Sequence, residues 1–97
     1  MSETQTVWYT YIVRCSDASL YTGITVDLDR RLAEHNCGPA GAAYTRARRP
    51  VTLVYHERFA SRSEAAAREY RIKQMDRKEK MELIVCKKTG DGSRKTK

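Results

Sequence analysis

Among the side chains of types that phosphate chemistry uses are the phenols of Tyr11 and Tyr21, the guanidinium of Arg31, the imidazole of His35 and the carboxylate of Glu69. Hydrolysing a phosphodiester needs a positioned water, neutralisation of the charge that builds on the phosphoryl oxygens, and help for the departing oxygen. Arg31 offers a planar, permanently charged fork that matches phosphate oxygens. Glu69 is a hard oxygen ligand suited to one divalent ion, with waters and the phosphate completing its shell. Tyr11 and Tyr21 are able to orient the water. His35 follows Arg31 by four residues, so a helix sets the two on one face, and its ordinary pKa suits a general base. Each group also has an ordinary reading: the tyrosines as packed strand aromatics, Arg31 and His35 as a solvated helix face, and Glu69 as the i,i+4 partner of Lys73. Against the last, Glu64 already fills a capping role. Glu69 instead falls in line with Ala65 and Ile72 on an inward stripe, where a carboxylate needs a partner.

The elements that must hold these groups follow from local pattern. Residues 7–15 and 20–25 are rich in aromatic and β-branched side chains, with Ser16-Asp17-Ala18-Ser19 between them, which predicts an antiparallel hairpin. Asp27 caps a helix running to about Asn36, in which Leu28 and Leu32 share the inward face. Cys37-Gly38-Pro39-Ala40-Gly41 stops that helix and opens a loop carrying an exposed basic run, Arg46-Ala47-Arg48-Arg49-Pro50. Residues 51–58 alternate as a third strand, with Val51, Leu53 and Tyr55 expected on one side. Ser61-Arg62-Ser63-Glu64 is a capping box for a helix through about Met75, and Asp76-Arg77-Lys78-Glu79 opens a last helix through about Lys87. The expected order is β-β-α-β-α-α, with no internal repeat.

Ninety-seven residues suit one domain, and 40% hydrophobic content is enough for a modest core. We expect a flexible N-terminus at 1–6, a domain at 7–88 and a disordered basic tail at 89–97. The net charge is +7. More than half of that excess lies in residues 87–97, which carry five basic residues and one acidic residue. Such a tail suits a polyanion through phosphate contacts. Three cysteines, widely spaced and without a C-x-x-C pair, argue against a zinc site or a disulfide framework and fit a reducing cytoplasm. The apolar run near the start is broken by Thr and Tyr and has no basic flank, so neither a signal peptide nor a membrane span is expected.

Thr10-Tyr11-Ile12 and Tyr21-Thr22-Gly23, followed by Arg31, His35 and the segment around Glu69, resemble the GIY-YIG nuclease family. Thr10 stands for the family's first Gly and Thr22 for its middle Ile, and no Asn follows Glu69. The segment from Asp29 to Asn36, with Tyr44-Thr45 and Arg48-Arg49-Pro50, is similar to the short stand-alone bacterial members and to the eukaryotic structure-specific resolvase subunit. The resemblance implies an α+β domain, a three-stranded antiparallel sheet flanked by helices. It implies an endonuclease that uses Mg²⁺ or Mn²⁺ on Glu69, with Tyr11, Tyr21, Arg31 and His35 in the site. One tyrosine would serve as general base with a cation beside it, Arg31, Lys73 or the metal; His35 is the rival or partner base. Arg46, Arg48, Arg49 and Lys73 are the expected nucleic-acid contacts. The expected partner is nucleic acid, DNA rather than RNA, with a second protein supplying specificity, since so small a domain has little surface for reading bases. The runner-up readings are a non-catalytic nucleic-acid-binding module that keeps the phosphate-gripping face, and a small adaptor recruited by a larger partner.

Overall fold

The computed structural model describes residues 6–39 and 41–89, the last three by their backbone alone. The flexible segment expected at 1–6 and the disordered tail expected at 89–97 lie almost wholly outside the described residues, except that Thr6 is described and Thr89 ends a helix.

Three strands, β1 (Trp8–Arg14), β2 (Leu20–Thr25) and β3 (Thr52–Phe59), form one antiparallel sheet in the order β2-β1-β3. The hairpin between β1 and β2 closes through Cys15 N–H to Ser19 O at 2.8 Å, with Ala18 at positive φ and Asp17 accepting from the Ser19 amide. Because β1 is central, both of its faces are covered, and Thr10, Tyr11, Ile12 and Val13 are all 2% exposed or less. That burial on successive residues is the signature of an inner strand.

Helix α1 (Leu28–Asn36) packs Leu28 and Leu32 on one face of the sheet, against Tyr11, Val13, Cys15 and Val51. Asp27 caps it as expected, accepting from the Arg30 amide at 3.1 Å. On the other face α3 (Arg62–Lys73) and α4 (Arg77–Thr89) bury Ile72 and Ile84 against Ile12 and Tyr55. Ser61 accepts from the Glu64 amide at 3.2 Å, and Asp76 and Glu79 exchange bonds in a full capping box at 3.0 and 2.9 Å.

The structure departs from the expected pattern in two places. A one-turn helix, α2 (Ala43–Arg46), lies in the loop between α1 and β3, too short to leave any periodicity in the sequence. In β3, Val51 and Leu53 pack on the α1 face whereas Tyr55 packs on the α3 face. The cause is an extra residue: Ile12 pairs with Tyr55 but Val13 pairs with Leu53, so Val54 has no opposite number and the alternation slips by one.

Polar rivets set the register of α3. Thr10 donates its hydroxyl proton to Ala65 O at 2.8 Å, fully buried. Arg68 pairs with Glu57 at 2.9 Å, and Glu57 also accepts from the Tyr55 hydroxyl. Burial and the Glu57 carboxylate push Tyr55 up to about 12, so it stays a proton donor.

Candidate active site

Tyr11 projects from the middle of β1 and its phenol reaches across Gly23, its register partner on β2. There Tyr11 Oη lies 2.8 Å from His35 Nε2. His35 comes from the last turn of α1 and is wholly buried. Its Nδ1 lies 2.7 Å from Thr45 Oγ1 in α2, and Thr45 donates to Ala42 O at 3.0 Å. Arg31, one turn before His35, is a hydrogen-bond and charge partner of the Tyr11 phenol and is anchored to Glu34 at 2.9 Å.

These contacts decide the resting protonation. Burial raises Tyr11 above the ordinary phenol range, and the Arg31 hydrogen bond and charge pull it part of the way back, while Tyr21 and Glu69 push it up. Burial lowers His35 below its ordinary value near 6.5, and the charges of Arg31 and Arg49 add to this against a smaller pull from Glu34. The site therefore rests with a protonated phenol hydrogen-bonded to a neutral imidazole. Of the expected cations Arg31 acts on Tyr11, and Lys73 pairs with Glu69.

Glu69 stands on α3 near enough for its charge to act on Tyr11. Its carboxylate is 24% exposed and pairs with Lys73 at 3.2 Å, so the i,i+4 pair and the position beside the phenol hold together. Ala65 and Ile72 on the same stripe are fully buried, which leaves Glu69 at the rim of the packed face.

Tyr21 is half-buried, edge-on to His35 with ring centroids 5.5 Å apart, and stacked on Tyr44 at 5.8 Å. The Arg48 guanidinium lies 3.9 Å over the Tyr44 ring, held by Asp17 at 3.1 Å and by Tyr44 O at 2.9 Å. The run expected to be uniformly exposed is thus divided. Of its three arginines, Arg46 alone is exposed, and it also donates to Pro39 O. Arg49 turns inward and donates to His35 O at 2.6 Å, Gly38 O at 2.7 Å and Glu34 O at 3.3 Å, closing the carbonyl end of α1.

Two residues to which the sequence pattern gave no chemical role reach the site: Thr45, through His35, and Tyr44, through Tyr21. Neither sits in an element long enough to show a buried face. The available signal was the family resemblance of the Tyr44-Thr45 pair, which carries no role with it.

Comparison with known proteins bears on the fold and the family. Residues 7–82 match the GIY-YIG catalytic domain. The chain is 52% identical over 83 residues to a UPF0213 protein of Desulfotalea psychrophila, covering 86% of this chain and 76% of that one. It is 56% identical over 76 residues to a UPF0213 protein of Halobacterium salinarum, covering 78% and 97%. The solution NMR structure of a UPF0213 protein from Bacillus halodurans is 43% identical, with a TM-score of 0.55 over 84% of this chain and 85% of that one. A second NMR structure, of a protein from E. faecalis, is 35% identical with a TM-score of 0.60 over 98% and 100%. With its sheet order, its paired tyrosine strands and its match over residues 7–82 all in agreement, the chain belongs to the GIY-YIG nuclease family, among the short single-domain proteins that carry the name UPF0213.

Proposed function

We propose that this protein is a metal-dependent endonuclease that hydrolyses phosphodiesters of DNA, selecting its substrate by structure rather than by sequence, in repair or recombination. The observation that carries the reading is the hydrogen bond of 2.8 Å between Tyr11 Oη and His35 Nε2, with Arg31 on the same phenol. A tyrosine is a poor base by itself, with an ordinary pKa of about 10. Tyr11 becomes one when its own proton passes to the neutral imidazole as it takes a proton from the attacking water. The water oxygen bonds to phosphorus, the ester oxygen departs, and the proton comes to rest on His35 Nε2. Arg31, free of any need to change protonation, grips the phosphoryl oxygens.

Among the described residues there is no cluster of three or more His, Cys, Asp or Glu to form a closed metal site. Glu69 nevertheless fits a divalent ion, Mg²⁺ or Mn²⁺, completed by water and by the substrate phosphate, because it offers hard carboxylate oxygens, partly exposed and close enough for their charge to act on Tyr11. When bound, the ion supplies positive charge to the phosphoryl and departing oxygens. Arg46 and Arg48 supply general phosphate contact at the rim, and a protein partner supplies further selectivity. Three free cysteines support the reducing cytoplasm as the working compartment, and no described helix is long and apolar enough to cross a membrane.

The Lys73 pair also favours a second reading, a nucleic-acid-binding module that holds phosphate without cleaving it, because Glu69 is satisfied with no metal. Incubation with labelled branched, flap and single-stranded DNA, and with RNA counterparts, in Mg²⁺, in Mn²⁺ and in chelator separates the two. Cleavage of DNA that chelator abolishes is the expected result. Binding without cleavage under every condition overturns the enzyme in favour of the module.

A further inference from the structure

We infer that Thr45 is a positioning residue: its hydroxyl holds His35 as the Nδ1–H tautomer and so keeps Nε2 bare to receive the Tyr11 proton. This rests on the nuclease chemistry proposed above. The argument begins with the partners of a single hydroxyl. Thr45 Oγ1 lies 3.0 Å from Ala42 O and 2.7 Å from His35 Nδ1. A carbonyl oxygen carries no proton, so the one proton of Thr45 goes to Ala42 O. Thr45 Oγ1 is then an acceptor toward His35, and Nδ1 must carry hydrogen. A neutral imidazole has one N–H, so Nε2 presents a lone pair to Tyr11 and the phenol donates to it.

The opposite tautomer fails at both ends of the chain. Thr45 would have to donate to Nδ1, leaving two oxygen lone pairs facing each other at Ala42. At the other end Nε2–H would point at a phenol oxygen that Arg31 already serves as donor, and the phenol proton would lose its acceptor. No water relieves these conflicts easily, since Thr45 and His35 are 0% exposed and Tyr11 is 2% exposed. Protonation of Nε2 during turnover leaves the Thr45 bond unchanged, because Nδ1–H donates before and after. The acceptor is thus oriented in advance and nothing reorganises when the proton moves.

The segment that carries Thr45 is tied to α1 on both sides. Gly41 packs so closely on α1 that a Cβ there would lie 2.5 Å from Glu34 O, and Arg49 ties the carbonyls of Glu34, His35 and Gly38 to the start of β3. These contacts hold Gly41 and Arg49, which flank α2, against the end of α1 that carries His35.

The test reads the tautomer directly. In the full chain labelled with ¹⁵N-histidine, two-bond ring correlations separate Nδ1–H from Nε2–H, and His56, the other histidine of the sequence, is assigned with a His56→Asn variant. The parent protein should show His35 as the Nδ1–H form without substrate. Thr45→Val keeps the shape and removes the hydroxyl; it should shift His35 toward Nε2–H and lower saturated turnover about 10- to 100-fold with little change in KM. Thr45→Ser should restore both. An Nε2–H parent overturns the proposal on its own, whatever the variants do. So does a Thr45→Val protein that keeps both the Nδ1–H form and the parental rate. A parent that shows the Nδ1–H form and cleaves nothing leaves the tautomer assignment standing and defeats the nuclease reading instead.

Discussion

Gly23 and Tyr11 are register partners across β1 and β2, and the phenol of Tyr11 occupies the space in which a side chain at position 23 would begin. A Cβ on residue 23 would lie 2.6 Å from Tyr11 Oη and 2.8 Å from Cζ. Gly23 is therefore required by close approach. Gly23→Ala must displace the phenol from His35, and we expect a loss of about 1–3 kcal/mol in stability together with a large loss of cleavage. Denaturant unfolding and single-turnover cleavage on the same preparation check this; unchanged values in both would show that Tyr11 has another place to go.

Tyr11→Phe and Tyr21→Phe should behave differently, although the sequence leaves their roles open. The first removes the hydroxyl bonded to His35 and should lower turnover about 100- to 10,000-fold. The second leaves the stack on Tyr44 intact and should cost much less. Equal losses would mean that both hydroxyls meet the water.

Glu69→Gln keeps size and helix propensity and removes the charge that a divalent ion needs. Cleavage should fall about a hundredfold or more while substrate binding holds or improves. Glu64→Gln, at the capping position, is the control and should be nearly silent. A Glu69→Gln protein that unfolds at lower temperature yet cleaves at the parental rate would reduce Glu69 to a partner for Lys73.

Stability should depend on pH through His35. Its folded pKa lies below the ordinary value near 6.5, so below that pH the unfolded chain takes up a proton that the folded one refuses. The stabilisation is complete above about 6.5 and is lost as pH falls from there toward the lowered value. Melting temperature should drop between pH 7 and 5, and His35→Gln should flatten that slope. An identical slope in the variant would assign the effect to other groups.

Arg48 and Arg49 should separate when replaced singly. Arg49→Ala removes donors from three carbonyls at the end of α1, and about 1–3 kcal/mol of stability should go with them. Arg48→Ala should leave folding nearly unchanged and weaken binding to every DNA substrate, with a shallower salt dependence. The reverse pattern, measured by melting and by a salt titration of binding, would exchange their roles.

The sequence by itself determined the elements and much of the family constellation, because those signals are local. Asp27, Ser61 and Asp76 open helices through bonds to amides three residues away, and the spacing of Arg31 and His35 puts both on one helix face whatever surrounds it. What crosses between elements was not legible. One unpaired residue, Val54, moves Tyr55 to the opposite face from Leu53, and alternation along a single strand carries no sign of it. Only the tertiary structure set the Tyr11 hydroxyl against His35 and the Tyr21 ring against Tyr44, since that depends on which ring passes over a glycine on the neighbouring strand. Only the tertiary structure turned Arg49 inward and brought Thr45 to His35, ten residues away across a loop. A sequence records the period of each segment; the protonation of a buried imidazole depends on where several segments meet.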